Sequence, residues 1–304
     1  MKKLFLLALT IWSSVAVTVA ADKPRKLVLI AGKPSHPPLM HEFRAGSLLL
    51  EKCLQGVPGF TIEVHTNGWV RDEKTFADAD AVVIYADGGG GHPAVQANHK
   101  ETLAALIKRG VGFGCMHYGV EVLKDKGGAE FKDWIGGYYE NSYSCNPIWE
   151  PEYKSFIPHP ITRGVQPFKT KDEWYFNMRF RDDMSGVKSI LVAKPSDAVR
   201  DGPYVYPKGP YPHIQAAKGR DEVMMWAVER PDGGRGFGFT GGHFHLNWGN
   251  DQQRKLLLNA FLWLAKAEVP KNGVTSTVTQ EDLMQNLDLK GAPKRPQPKK
   301  DAKK

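Results

Sequence analysis

The chain has 304 residues, of which 41% are hydrophobic and three are cysteine, a length that supports one large domain and a cysteine count too low for a disulfide framework. Its formal charge of +8 sits at the ends, on Lys2 and Lys3 and on the seven Lys/Arg that outnumber two Asp over 287–304. The body between is close to neutral, which excludes a nucleic-acid-binding face.

The first segment, MKKLFLLALTIWSSVAVTVAA, has a basic start, an apolar run from Leu4 to Val19 and small residues before Asp22. This pattern predicts a cleavable signal peptide over 1–21 and a periplasmic or secreted mature chain. A membrane anchor is the weaker reading of so short a run, and no cysteine stands at the cleavage point to take a lipid. No later segment reaches the ~20 apolar residues of a spanning helix.

KLVLIA (26–31), 60–66, AVVIYA (81–86) and 111–116 read as strands. Apolar periodicity predicts helices over 40–54 and 95–108, the second ended by Gly110, and another helix starting near Gly119. Strand–helix alternation at this spacing predicts an α/β fold whose parallel sheet is covered by helices on both faces. From about 140 to 220 the chain turns rich in Pro, Tyr and Trp, with short strands expected around 173–180 and 187–193. This region reads as an insertion or lid on the same domain. Strands return at 223–228 and 236–240, joined by RPDGGR, and DQQRKLLLNAFLWLA (251–265) is an amphipathic closing helix. The domain therefore spans 22–270. A C-terminal extension, 271–304, follows, basic and disordered at its end. Cys53 and Cys115 fall in apolar stretches and read as packed thiols, whereas Cys145 falls in a polar loop open to oxidation.

In open parallel sheets, ligands bind beyond the carboxyl ends of the strands. His36, His92 and His117 follow the first, third and fourth strands, and His243 and His245 follow the last. Their convergence on one edge predicts a shared site. GFGCMHYGVE (112–121) poses a choice between Cys115 and His117 as its reactive residue. A strand-to-helix elbow needs small residues two positions either side. Centred on His117 these are Cys115 and Gly119; centred on Cys115 they are Phe113 and His117. His117 is the elbow residue, as metal ligand or base, and thiol-nucleophile chemistry is disfavoured. Glu121, one turn on, is the candidate to orient it or move protons.

DGGGGHP (87–93) is neither a dinucleotide fingerprint nor a P-loop. Its glycines, Gly89 and Gly90 among them, would let backbone approach a ligand flanked by Asp87 and His92. His36, His117, His243 and His245 are candidate ligands for a divalent metal, zinc or manganese; the last two would face one side if 243–245 were extended. Tyr138, Tyr139, Trp174, Tyr175 and Trp248 are candidate sugar platforms, Tyr118 is a further candidate for substrate binding, and Asp172 and Glu173 offer carboxylates for hydroxyls.

KLVLIAGKPSH, AVVIYADGGGGHP, GFGCMHYGVE, DEWY and GRGFGFTGGHFHLNWGNDQQRKLLLNAFLWLAKAEVP together resemble the trehalose-utilisation (ThuA-like) family over residues 26–270. The resemblance implies a flavodoxin-like sheet shared with the class I glutamine amidotransferases, with His117 where their catalytic cysteine stands, so amidotransferase activity is not implied. It also implies a small carbohydrate partner, a disaccharide or keto-sugar. Tyr118 and Glu121 depart from the Ala and Asp usual in the family elbow. The reading is an exported sugar-processing hydrolase, isomerase or lyase, with a non-catalytic sugar-binding protein as the alternative.

Overall fold

Seven strands form one sheet in the computed structural model, which describes residues 23–290. The expected leader and most of the basic tail lie outside the described residues. The strands are β1 (Arg25–Ala31), β2 (Phe60–His65), β3 (Ala81–Tyr85), β4 (Gly112–Met116), β5 (Val187–Ala193), β6 (Glu222–Glu229) and β7 (Arg235–Phe239). Their spatial order is β5-β6-β7-β4-β3-β1-β2. The five strands from β2 to β7 are mutually parallel, and β6 and β5 extend that sheet antiparallel.

Alternate residues of β1 enter opposite cores, as a doubly covered strand requires. Leu27, Leu29 and Ala31 pack with α1 (Phe43–Leu54) and α4 (Asp251–Leu264). Val28 and Ile30 pack with α2 (His99–Lys108) and α3 (Ala129–Ile135). Each face carries its own pair of helices, so the carboxyl ends of β1, β3, β4 and β7 remain together at one edge.

Three elements are shorter than sequence periodicity predicts. α1 begins at Phe43 rather than residue 40, because Met40 forms a β-bridge with Phe244 and His41 has φ +48°. α2 begins at His99, after a separate turn over Pro93–Val95. The helix expected at Gly119 is one 3-10 turn, His117–Val120; α3 starts only at Ala129.

The region between α3 and β5 holds three two-residue ribbons. Gly137–Tyr138 pairs with Arg179–Phe180, Ile148–Trp149 with Asp172–Glu173, and Glu152–Tyr153 with Phe168–Lys169. The strand expected over 173–180 is therefore paired in pieces, at its two ends and through an isolated bridge from Phe176 to Cys145. Cys145 lies inside this region, fully buried, exchanging two backbone hydrogen bonds with Phe176. Burial pushes its thiol well up, so the expected oxidisable surface cysteine is a core residue.

After α4 the chain runs back over α1 and forms α5 (Gln280–Leu283). Among the described residues no helix is long and apolar enough to cross a membrane.

Candidate metal centre and active site

β4 delivers His117 to the sheet edge with φ +50°, a conformation uncommon for a residue with a Cβ. The turn is possible because Gly119 follows: a Cβ there would lie 3.1 Å from the Ile84 carbonyl oxygen. His117 Nδ1 sits 3.0 Å from the Thr240 carbonyl oxygen. A carbonyl can only accept, so Nδ1 carries the hydrogen and Nε2 presents a lone pair.

His41 arrives from the β1–α1 loop, its N–H donating to the His243 carbonyl at 3.0 Å. Its Nδ1 lies 2.8 Å from Asp87 Oδ1, beyond β3. Ionised Asp87 accepts that hydrogen, so His41 Nε2 is also a lone pair. The two Nε2 atoms face each other at 2.9 Å. His243 Nδ1 completes a triangle, 3.0 Å from His41 and 3.3 Å from His117. Glu173 Oε2 stands 2.7 Å from His243 Nδ1 and 3.8 Å from His117 Nε2. Its other oxygen accepts from Asn146 Nδ2 at 2.8 Å, and the Tyr175 hydroxyl is 3.3 Å from His117 Nε2.

All four side chains are buried. Burial, then the neighbouring histidines, holds the imidazoles of His41 and His117 well below the ordinary histidine range, in the neutral form that ligates metals. His243 has one hydrogen to direct at Glu173 or at a neighbour. The Tyr175 hydroxyl is placed to donate to one of the facing lone pairs, that of His117 Nε2. The two Nε2 atoms still face each other at 2.9 Å with no hydrogen of their own between them, and a shared cation would relieve that contact. His41, His117, Glu173 and His243 thus form a buried group that could hold a metal ion. Asp87 on His41 and the Thr240 carbonyl on His117 are the outer partners that fix ring orientation in such sites.

A cavity of about 250 Å³ opens beside this group, lined among others by His36, Tyr118, Glu121, Asn146, Tyr175 and Tyr206. His36 lies against His41, with ring centroids 3.6 Å apart and the planes tilted by 31°, and is half-exposed, outside the buried quartet. It joins His41 and Asp87 in a second, more open group.

A family model described as trehalose utilisation, ThuA, matches residues 35–264. The chain belongs to the ThuA family. Among solved structures it is similar to a ThuA-like protein from Bacteroides uniformis, with a TM-score of 0.57 and 15% identity over 82% of this chain and 95% of that one. A ThuA-like protein from Parabacteroides merdae gives a TM-score of 0.53 and 18% identity over 87% and 100%. These likenesses bear on the fold, which is flavodoxin-like. No curated protein matches the chain.

Several expected site residues of this ThuA chain lie elsewhere. His92 is fully buried; one ring nitrogen is 2.8 Å from the Gly119 carbonyl and the other accepts from Ala94 N–H, so it caps a turn. His245 begins a 3-10 turn instead of continuing an extended segment, and its Nε2 donates to the Leu283 carbonyl at 2.9 Å. It therefore points away from His243 and is not a ligand of this group. Trp174 and Trp248 are fully buried core rings rather than sugar platforms. Asp172 is also fully buried and accepts from the N–H groups of Glu173, Gly242 and Phe244, shaping the loop that carries His243. Gly89 donates to the Glu121 carbonyl, and Gly90 is exposed. The glycine loop does pack against the cavity wall: a Cβ at Gly88 would be 2.2 Å from the Tyr118 carbonyl oxygen, and one at Gly89 would be 3.5 Å from Glu121 Oε1 and 3.7 Å from the Tyr118 hydroxyl.

Glu121 is mostly buried on the cavity wall. Desolvation, reinforced by the Glu173 charge, pushes its carboxyl from 4.5 up to about 7. Between those values the folded chain holds a proton that the unfolded chain has released, so stability falls as pH rises through this window. In chelated protein, Glu121→Gln should remove about 3 kcal/mol of that fall. Denaturant unfolding at about pH 5 and about pH 8 reads the difference. Equal pH dependence in both proteins would mean that Glu121 titrates as an ordinary surface carboxylate.

Proposed function

We propose that this protein is an exported carbohydrate-processing enzyme whose active site is built on a divalent metal held by His41, His117, His243 and Glu173. The observation that carries the reading is the pair of buried imidazole lone pairs 2.9 Å apart. Zinc suits the donor set best, since bonds of about 2.0–2.1 Å to a tetrahedral ion separate ligand atoms by about 3.3 Å. The nitrogens stand 2.9, 3.0 and 3.3 Å apart. Manganese, which prefers more oxygen ligands, suits them less well. When bound, the metal supplies Lewis acidity toward a carbonyl or hydroxyl oxygen of the substrate.

The chain's own residues provide the rest. Glu121, with a carboxyl near neutrality, suits proton transfer in either direction at the substrate. Asn141 and Asn146 on the cavity wall offer hydrogen bonds to hydroxyls, and Tyr118 beside Glu121 closes the wall. Asp87 holds the His41 tautomer. The reaction classes this arrangement serves are proton removal beside a ketone, leading to isomerisation or elimination, and hydrolysis. The family description supports a sugar as substrate, and the leader-like pattern over 1–21 supports export.

A non-catalytic sugar-binding role is the second reading, favoured by the amide- and tyrosine-lined cavity. Incubating zinc-loaded protein in D2O with trehalose oxidised to a ketone on one ring separates the two by proton NMR. Cleavage, isomerisation or deuterium entry beside the ketone, lost in Glu121→Gln, is the expected result. Saturable binding with an unchanged sugar would replace the enzyme by the binding protein.

A further inference from the structure

Tyr206 is 73% exposed, yet it lines the mouth of the 250 Å³ cavity. The large apolar side chains otherwise exposed among the described residues are aliphatic or Met. Tyr206 belongs to the loop DGPYVYPKGPYP (201–212), whose neighbouring tyrosine is treated differently. Tyr204 is 1% exposed and its hydroxyl donates to the Arg200 carbonyl. Side chains two apart in one extended segment would be expected on the same side; here one is packed and the other presented outward.

The loop is nevertheless held firmly. Val205 N–H donates to the Asn146 carbonyl and Tyr206 N–H to Asn146 Oδ1, each at 3.2 Å. The same Asn146 donates from Nδ2 to Glu173 at 2.8 Å. One amide therefore ties the backbone under Tyr206 to a member of the metal-binding group. Among the described residues, the Tyr206 ring takes part in no aromatic pair, and its hydroxyl makes no hydrogen bond.

We propose that Tyr206 is the platform for the second unit of a two-unit carbohydrate whose first ring occupies the cavity, a subsite that rests on the carbohydrate reading above. A volume of 250 Å³ is about eight waters at about 30 Å³ each. That admits one hexose ring with its hydroxyls and leaves a second ring at the mouth. The lining carries Glu121 and Asn146, buried and half-buried, and the exposed Asn141, which suit hydroxyls. At the mouth stands a flat aromatic face, which suits the C–H face of a pyranose. Anchoring through Asn146 lowers the ordering cost of binding there, because the backbone is already fixed.

Calorimetric titration of the zinc-loaded full chain with trehalose and with glucose tests this. The wild type should bind trehalose about tenfold more tightly than glucose, and Tyr206→Ala should bring the two affinities together. Tyr206→Phe should keep the preference, since the ring face and not the hydroxyl is used. Zinc content should be the same in all three proteins, which guards against a collapsed site. If both sugars bind and Tyr206→Ala leaves both affinities unchanged, the platform is wrong and the carbohydrate reading stands. If Tyr206→Ala weakens both sugars equally, the ring serves the first unit and the two-unit subsite is wrong. If neither sugar binds the wild type, the carbohydrate reading falls and the platform with it.

Discussion

Purified His117→Ala should contain no tightly held metal, while the wild type carries close to one zinc per chain. The expectation follows from how the site is built. His117 Nε2 lies within 3.3 Å of both other imidazole donors, so its removal opens the centre of the group rather than its rim. A buried four-ligand zinc site is worth about 10–16 kcal/mol in peptides that fold around it, or about 3 kcal/mol per ligand, so one lost ligand costs roughly 100-fold in affinity or more. His245→Ala is the control, because its ring bonds Leu283 on the far side of the loop. It should keep its zinc. Metal analysis after dialysis against a weak chelator reads both variants. If the wild type stays metal-free after reconstitution, the four side chains are a hydrogen-bonded cluster and nothing more. The lone-pair contact would then be eased within the cluster, with the Tyr175 hydroxyl donating to His117 Nε2.

The sequence rules located this centre unevenly, and the reasons are local. His117 was legible because an elbow demands small flanking residues, and Gly119 supplies one at a carbonyl contact. His243 was legible from the strand-end rule. His41 was not, because the apolar spacing from Met40 onward suits a helix, and periodicity cannot register the positive φ that keeps residue 41 out of it. Pro37-Pro38 in the same strand-end loop gives no warning either, since proline is favoured at the start of a helix. Glu173 was expected to meet hydroxyls; its place beside His243 depends on the Ile148–Trp149 ribbon and on Asn146, contacts between segments about 25 residues apart. The tryptophans misled for a different reason. Trp174 fills space left by Gly241, where a Cβ would meet its ring at 2.4 Å, and a sequence does not show which aromatic a distant glycine accommodates. The central strands β1, β3 and β4 were legible because they are apolar on both faces, a pattern that needs no long-range information. β5, expected within the insertion, instead joins the sheet as an edge strand through antiparallel pairing with β6.

The segment after α4 holds the His41 loop in place, and Lys290→Met should expose this with a loss of about 3 kcal/mol in stability. Lys290 Nζ is 3.1 Å from Glu42 Oε1, with side chains 6% and 1% exposed. It also donates to the Met40 and His41 carbonyls. Glu42 in turn accepts from the N–H groups of Leu39 and Asp288, each at 2.9 Å. Removing the ammonium leaves a carboxylate buried with two backbone donors but no countercharge, and leaves two carbonyls short of a donor. Cutting one partner from a buried pair costs about 3–5 kcal/mol; the two N–H groups that remain on Glu42 place this case at the lower end. The double variant Glu42→Gln/Lys290→Met should recover part of the loss, because the stranded charge is gone. Denaturant unfolding of chelated proteins reads the stability, and zinc competition reads the second consequence. His41 loses the donor to its own carbonyl, so its Nε2 is less well placed and zinc affinity should fall as well. A Lys290→Met protein within 0.5 kcal/mol of wild type, the range of ordinary surface substitutions, would show the segment to be a passive cover. Loss of stability with zinc affinity unchanged would show that it braces α1 and leaves His41 to be held by Asp87 and the His243 backbone.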